Sequence, residues 1–161
     1  MTRLPDRTGA SFSECRLYRY LLWRRWAKGP TVTFVMLNPS TADETTNDPT
    51  VARCQRRAVQ WGYGGLFVVN LFAWRSTDPV ALYGLGDPVG PENDHTVRDA
   101  SRNSELVVCG WGNHGTLHNR GRQVLGLVRS EGVIPYALKI TGAGQPGHPL
   151  YIGYAVQPQP I

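Results

Sequence analysis

Four short apolar stretches recur along the chain, and within each of them apolar residues follow one another with little polar alternation. They are TVTFVML (31–37), LFVVNLF (66–72), ELVVCGW (105–111) and VIPYAL (133–138). Continuous runs of this length, rich in β-branched residues, are typical of strands buried on both faces of a parallel sheet. The pattern therefore predicts four buried, mostly parallel strands.

Helical spacing occupies the segments between these strands. Residues 49–62 predict a helix capped by Asn47 or Asp48. Two further helices are predicted, one starting near Pro91 and one over residues 119–132. Strands that alternate with helices predict an α/β fold, a three-layer sandwich around a mostly parallel central sheet of about four strands.

The whole chain of 161 residues fits a single domain, 1–161, with a buried core. We expect loose termini at 1–12 and 157–161, while SECRLYRYLLWRRW (13–26) fits either an edge hairpin or a helix. No apolar run approaches the roughly 20 residues of a membrane helix, and the N-terminus has no apolar signal core. Three widely spaced cysteines without a C-x-x-C pair indicate reduced thiols. A cytoplasmic protein without membrane contact is expected.

Basic residues are clustered, and the formal net charge is +5. The segments RLYRYLLWRRWAKG and RCQRR combine arginine with aromatic residues or with further arginines, a composition that suits contact with phosphates and bases. A solvated basic face with inward-packed aromatics is the alternative. We expect DNA or a nucleotide as the partner; the oligomeric state stays open. The expected nucleic-acid contacts are Arg24, Arg25, Arg56, Arg57, Arg75 and Lys139.

Polar and aromatic side chains follow each of the four predicted strands. Because ligands bind beyond the carboxyl ends of the strands in such sheets, these side chains are expected to converge on one site. They suit holding a planar ring by stacking, reading its edge with an amide, and placing a water beside it. For each residue, a role in capping, turns or core packing is the alternative. The candidates are Asn38, Pro39, Ser40, Asp43, Asp48, Asn70, Phe72, Trp74, Trp111, Asn113, His148 and Pro149.

Metal chemistry is a separate possibility. Asp43, Glu44 and Asp48, together with the ENDH segment at 92–95, have the composition of a metal-ligand cluster. Solvated loop carboxylates or helix caps are the alternative, and we expect neither a metal nor a cofactor. The chain contains no G-x-S-x-G, P-loop or H-E-x-x-H motif.

Several motifs resemble those of an uncharacterised bacterial and phage family, domain of unknown function 1643. They are MLNPSTADETTNDPTVARC, WGYGGLFVVNLFAWRSTDP, DPVGPENDH, WGNHG and HPLY. The resemblance runs from about Trp23 to Tyr151, and the family has no assigned activity.

The order of landmarks is also similar to that of the uracil-DNA glycosylase superfamily. There the first strand ends in a Gly-x-Asn-Pro or Gly-x-Asp-Pro loop that positions the attacking water, and Asn38-Pro39 matches that place. Asn70 falls where a strand-end amide reads the flipped base. His148-Pro149 falls where a histidine stabilises the departing base anion. This resemblance implies a glycosylase-like fold and hydrolysis of the N-glycosidic bond of a modified or damaged base.

The same resemblance implies that Asp43 or Asp48 would help Asn38 to place the water, and that Phe72 or Trp74 would stack on the base. The chain departs from the superfamily at three positions, where Met36, Ser40 and Leu150 replace two glycines and a serine. Two alternatives therefore stay open, a nucleic-acid-binding module without catalysis and a metal-dependent nucleotide enzyme.

Overall fold

A seven-stranded mixed sheet forms the centre of the protein in the computed structural model, which describes residues 7–161. The strands are β1 (Arg7–Phe12), β2 (Arg19–Arg25), β3 (Thr31–Met36), β4 (Gly65–Asn70), β5 (Leu106–Cys109), β6 (Pro135–Ala137) and β7 (Gln159–Pro160). The helices are α1 (Pro49–Gln60), α2 (Asn93–Arg102) and α3 (Arg120–Ser130). Short 3₁₀ segments lie at Pro79–Gly84, Asn113–Asn119 and Pro149–Tyr151. None of the helices within 7–161 is long and apolar enough to cross a membrane.

The strand order is β1-β2-β4-β3-β5-β6-β7. The four central strands β4, β3, β5 and β6 are parallel, and β1, β2 and β7 pair antiparallel at the two sides. The α/β prediction is confirmed, whereas the prediction of about four mostly parallel strands is corrected to seven mixed strands. The apolar runs mark only the central strands, because the outer strands are short or carry charged residues.

The N-terminal segment that sequence left ambiguous is an edge hairpin. Strand β2 pairs with β4, where Leu22 lies opposite Val68, and β1 pairs along the other side of β2. The expected loose termini are corrected as well, since 7–12 and 159–160 are hydrogen-bonded into the sheet. Residues 1–6 of that expectation lie outside the described part of the chain.

Two apolar layers cover the faces of the sheet. Phe34 and Met36 of β3 pack on the face covered by α1, where Val51 and Cys54 are buried. Val35, which points the opposite way, packs in the layer that contains buried residues of α2 and α3. Alternate residues of one central strand therefore belong to different layers, as strand geometry requires.

Helix α1 begins where the sequence predicted. The Asp48 carboxylate caps it by accepting a hydrogen bond from the Val51 N–H, with Oδ1 and N 2.8 Å apart. Such a cap satisfies one of the unpaired N–H groups of the first helical turn. It places the start of α1 beside the carboxyl ends of β3 and β4.

Candidate functional site

A cleft of about 410 Å³ opens at the carboxyl ends of the central strands. Four of its deeply buried lining residues, here called the floor, are Arg19, Met36, Val68 and Asn70, each at most 3% exposed. The walls come from the loop after β3, the start of α1, and the segments around 76–79, 111–114 and 148–151. Residues two positions apart in a strand face the same side of the sheet. Met36 of β3, and Val68 and Asn70 of β4, therefore all face the α1 side and lie together at the floor.

Eight of the predicted site residues meet in this cleft, although they are spread over more than a hundred positions of the chain. They are Asn38, Pro39, Ser40, Asp48, Asn70, Trp111, Asn113 and His148. Four others, Asp43, Phe72, Trp74 and Pro149, are absent from its lining.

Asn70 ends β4 with an amide that the protein leaves unpaired. The side chain is 1% exposed, and neither Oδ1 nor Nδ2 has a hydrogen-bond partner within 7–161. The backbone around it is firmly held, because Asn93 Nδ2 donates to the carbonyls of Asn70 and Leu71 at 2.9 and 3.0 Å. Arg120 Nε donates to the Leu71 carbonyl as well, at 2.8 Å. A rigid strand end thus presents a free amide at the floor.

Asn38 is oriented by its own NH₂ group. Nδ2 donates to the Ser76 carbonyl at 2.9 Å and to the Pro39 carbonyl at 3.2 Å. The amide oxygen Oδ1 has no hydrogen-bond donor within the described chain, so it remains an acceptor for a water or a ligand N–H. The Asn-Pro step therefore fixes an acceptor at the end of β3.

His148 is held in one tautomer. Its Nδ1 accepts a hydrogen bond from the Leu150 N–H at 3.1 Å, so the ring proton lies on Nε2 and is available to donate. Burial lowers the pKa of His148 from its usual value, and the Asp48 carboxylate offsets this only in part. The imidazole is therefore neutral at pH 7 and acts as an N–H donor.

The polar loop between β3 and α1 is closed by its own hydrogen bonds and by Arg24. Asp43 Oδ1 accepts from the N–H groups of Thr45 and Thr46, at 3.0 and 2.8 Å. Arg24 donates to the carbonyls of Asp43 and Thr46 at 2.7 and 3.3 Å and to Asn47 Oδ1 at 3.0 Å. Asp43 therefore stabilises a turn outside the cleft, which leaves no geometric support for its predicted catalytic role.

Several predicted nucleic-acid contacts are used within the protein. Arg24 is 4% exposed, and Arg57 is fully buried and donates to the carbonyls of Pro149, Ile152 and Gly153. The prediction that these two arginines contact phosphate is corrected, because their guanidinium groups are buried against main-chain carbonyls.

The other four predicted nucleic-acid contacts differ in how far they are available. Arg25 donates to the carbonyls of Ala27 and Gly29, and Arg75 donates to the Arg16 carbonyl. Arg56 and Lys139 are exposed. Phosphate contact stays a prediction for this group, with Arg56 and Lys139 the most accessible.

Both predicted stacking residues lie away from the cleft. Phe72 is fully buried in the layer beneath α2 and α3, which corrects its assignment as a base-stacking residue. Trp74 packs edge-on against Tyr18, with ring centroids 5.5 Å apart. The exposed Tyr151 instead lies at the cleft, with its ring centroid 5.9 Å from that of His148. Its position on a 3₁₀ turn gave no signal in the sequence.

The acidic side chains of the metal alternative are held apart. Glu44 pairs with Arg16 at 2.9 Å, and Asp94 pairs with Arg120 at 2.6 Å, while Asp48 caps α1. In the part of the chain that the structure describes, no three His, Cys, Asp or Glu side chains form a group able to hold a metal ion.

Arg19 and His114 are lining residues that sequence reasoning did not select. His114 Nδ1 lies 2.9 Å from the Tyr83 hydroxyl on the cleft wall. Arg19 begins β2, and because β2 runs antiparallel to β4 its first residue reaches the carboxyl edge of the sheet. Sequence patterns alone do not identify Arg19 as a lining residue, because its position depends on the pairing of β2 with β4, which are distant in sequence.

Fold and site together define an α/β protein with a cleft of polar and apolar side chains at the carboxyl edge of its central strands. The chain belongs to the family described as "protein of unknown function (DUF1643)", which it matches over residues 19–150. No curated protein and no solved structure matches the chain significantly. The resemblance to uracil-DNA glycosylases stays a prediction.

Proposed function

We propose that the cleft binds a nucleobase, and that the protein is a glycosylase-like hydrolase acting on the N-glycosidic bond of a modified or damaged base in DNA. The observation that carries this proposal is the unpaired Asn70 amide at 1% exposure. A buried polar group without a partner costs about 1–3 kcal/mol, so a ligand with a complementary edge would recover that energy. An amide offers one donor and one acceptor side by side, which matches the edge of a base.

Asn38 and His148 supply what hydrolysis would need around such a base. Asn38 Oδ1 would orient the attacking water, and the Asp48 carboxylate also lines the cleft. The neutral His148 would donate from Nε2 to the leaving base as negative charge develops on it. One well-aimed donor of this kind contributes roughly 3–4 kcal/mol to lowering the barrier. Together these groups support the proposed glycosylase-like chemistry.

Base release from modified oligonucleotides tests this function. Purified protein is incubated with single- and double-stranded oligonucleotides containing uracil, hypoxanthine, xanthine or hydroxymethyluracil, and abasic sites are cleaved with alkali. We expect release of at least one base, reduced at least about a hundredfold by Asn38→Ala because water positioning is lost. Asn103→Ala is the matched control, since its amide donates only to the Asp99 carbonyl at the end of α2. Full activity in a variant lacking both Asn38 and His148 would refute the mechanism.

A second candidate function is base binding without catalysis, and a specific feature of the cleft favours it. Met36 and Leu150 line the cleft at the positions where the glycosylase superfamily has a glycine and a serine. Their side chains fill space through which a base or phosphate would approach the backbone. Oligonucleotide binding that Asn70→Ala weakens, with no base released from any substrate, would support this function.

A further inference from the structure

Arg19 is a buried guanidinium group whose hydrogen-bonding capacity is largely unused. It is 2% exposed, and its Nη1 donates to the Ala42 carbonyl at 2.9 Å. Nε has no partner, and no hydrogen bond within 7–161 involves Nη2. Nε and Nη2 form one edge of the guanidinium plane, so this residue of the cleft lining has two parallel N–H donors without a partner in the described chain.

The other buried arginines of the described chain are better satisfied. Arg24 donates to several carbonyls and to Asn47, and Arg57 donates to three carbonyls beneath Tyr154. Arg120 pairs with Asp94 and also donates to a carbonyl. Arg19 takes part in none of the ion pairs found within 7–161.

The charge of Arg19 persists despite its burial. Burial lowers the pKa of Arg19 to about 10, and the nearby Asp48 carboxylate partly opposes this shift. The side chain is therefore cationic at neutral pH. A buried cation without an ion-pair partner costs free energy in the unliganded protein, and acceptors on a ligand would offset that cost.

We propose that the Nε–Nη2 edge of Arg19 recognises the adjacent O6 and N7 acceptors of an oxopurine, so that the cleft selects a modified oxopurine such as hypoxanthine or xanthine. This inference rests on the proposed function, because it assumes that a base enters the cleft. Arginine is the common bidentate partner of the O6/N7 pair. The free amide of Asn70 complements the same base, since Oδ1 accepts the N1–H next to O6.

Other bases match this pair of residues less well. Adenine replaces the O6 acceptor with an amino donor, which faces an arginine that only donates. Uracil offers O4 but no second acceptor beside it. A backbone phosphate would also suit a guanidinium, but Arg19 lies at the floor between Met36, Val68 and Asn70, where the ring edge and not the sugar-phosphate chain would reach.

Calorimetric titration with free hypoxanthine, adenine, uracil and inorganic phosphate tests the inference. Hypoxanthine and adenine form a matched pair that differs at position 6 of the ring. We expect hypoxanthine to bind at least about tenfold more tightly than adenine or uracil to the wild-type protein. Arg19→Met should reduce hypoxanthine affinity to the level of adenine and leave adenine affinity within about twofold of the wild type. Arg19→Lys, which keeps the charge but loses the fork, should lose the same selectivity.

Thermal unfolding of the unliganded variants provides a second measurement. Arg19→Met should leave the melting temperature unchanged or raise it, because the variant removes a buried charge that lacks a partner. Arg24→Met should lower it. An equal loss of melting temperature in both variants would overturn the inference, since Arg19 would then be a structural residue.

The possible failures are distinguishable. Uracil or adenine binding as tightly as hypoxanthine would overturn the oxopurine assignment and leave the proposed nucleobase site intact. Arg19-dependent binding of phosphate with no base preference would likewise overturn it. Two results together would overturn both the inference and the proposed function. They are no binding of any of the three bases, and oligonucleotide binding by Asn70→Ala equal to that of the wild type.

Discussion

His148 combines a fixed tautomer with a lowered pKa, and both follow from its place in the 3₁₀ turn. The Nδ1 lone pair accepts from the Leu150 N–H, and burial disfavours the charged ring. Protonation at Nδ1 would put a hydrogen where the Leu150 N–H already points. Protonation of His148 in acid should therefore break its hydrogen bond with the Leu150 N–H, in addition to burying the charge of the imidazolium ring.

We predict that His148 titrates below 6.5 in the folded protein, because burial lowers its pKa from that value. The unfolded chain then binds the proton at a higher pH than the folded chain does. Stability is therefore lost as the pH falls from about 6.5 through the folded pKa, and it is fully present above that window. The imidazole resonances, followed by NMR as the pH is lowered, would give the midpoint, which we expect below the free value because burial lowers the pKa of His148.

His148→Gln removes this titration and so removes the corresponding part of the pH dependence of the unfolding free energy. His118→Asn is the matched control, because His118 is exposed and has a positive φ of 54° that asparagine tolerates. A folded-state midpoint above 6.5, or an unchanged pH profile in His148→Gln, would contradict the prediction.

At the scale of elements, two arginines hold two of the loops that contribute to the cleft lining. Arg24 joins strand β2 to the loop that leads into α1. Arg57 joins α1 to the turn that carries His148 and Tyr151, through the carbonyls of Pro149 and Ile152. Both residues lie in strands or helices, so the loops take their position from rigid elements.

We predict that Arg24→Met destabilises the protein by about 1–3 kcal/mol, because the carbonyls of Asp43 and Thr46 lose their donor. Arg24→Lys should be nearly as destabilising, since a single ammonium does not span these acceptors. Arg122→Ala is the control, because Arg122 is exposed on α3, where such changes stay within about 0.5 kcal/mol. Urea unfolding at one pH compares the variants. A loss of unfolding free energy below about 0.5 kcal/mol in both Arg24 variants would contradict the prediction, because the loop would then hold its conformation without the Arg24 hydrogen bonds.

The buried arginines of β2, Arg19 and Arg24, also explain which parts of the fold were predictable. Strands β3 to β6 and helix α1 follow from local signals, namely continuous apolar runs and the Asp48 cap. Strand β2 does not, because Arg19 and Arg24 suggest a solvated face. Both are buried only because carbonyls of the loop after β3, distant in sequence, reach them. No local pattern contains that information.

The same distinction applies to the cleft at the scale of the whole molecule. The rule that ligands bind at the carboxyl ends of parallel strands was enough to bring Asn38, Asn70 and His148 into one cleft. It did not separate Asn70, whose amide is free, from Phe72, which lies two residues further along and is part of the core. That difference depends on which side of the sheet each side chain faces once the strand ends.

The net charge of +5 overstates the surface available to a polyanion. Of the six residues predicted to contact nucleic acid, Arg24 and Arg57 are buried, and Arg25 and Arg75 donate to main-chain carbonyls. Lys139 is exposed and its carbonyl binds the Gly147 N–H, one residue before His148. Arg56 is exposed over the Tyr154 ring, 4.0 Å from its centroid. We therefore predict that Arg56 and Lys139 are the two of the six that contact phosphates.

We therefore predict that double-stranded DNA binding depends only weakly on salt. Two neutralised phosphates give a slope of log K against log salt of about −2, whereas six would give about −5. Fluorescence anisotropy of a labelled duplex, at salt concentrations from about 50 to about 200 mM, measures this slope. Arg56→Gln combined with Lys139→Gln should bring the slope close to zero. Arg122→Gln, on exposed α3, should leave the slope unchanged.

A slope of about −5 in the wild-type protein, as expected for six phosphate contacts, would mean that cations other than Arg56 and Lys139 also contact the duplex. A slope that stays near −2 in the double variant would show that Arg56 and Lys139 are not the contacts. The expected small slope fits the proposed recognition through the cleft, because Arg19, Asn70 and His148 would contact a base and contribute nothing to counter-ion release from the backbone.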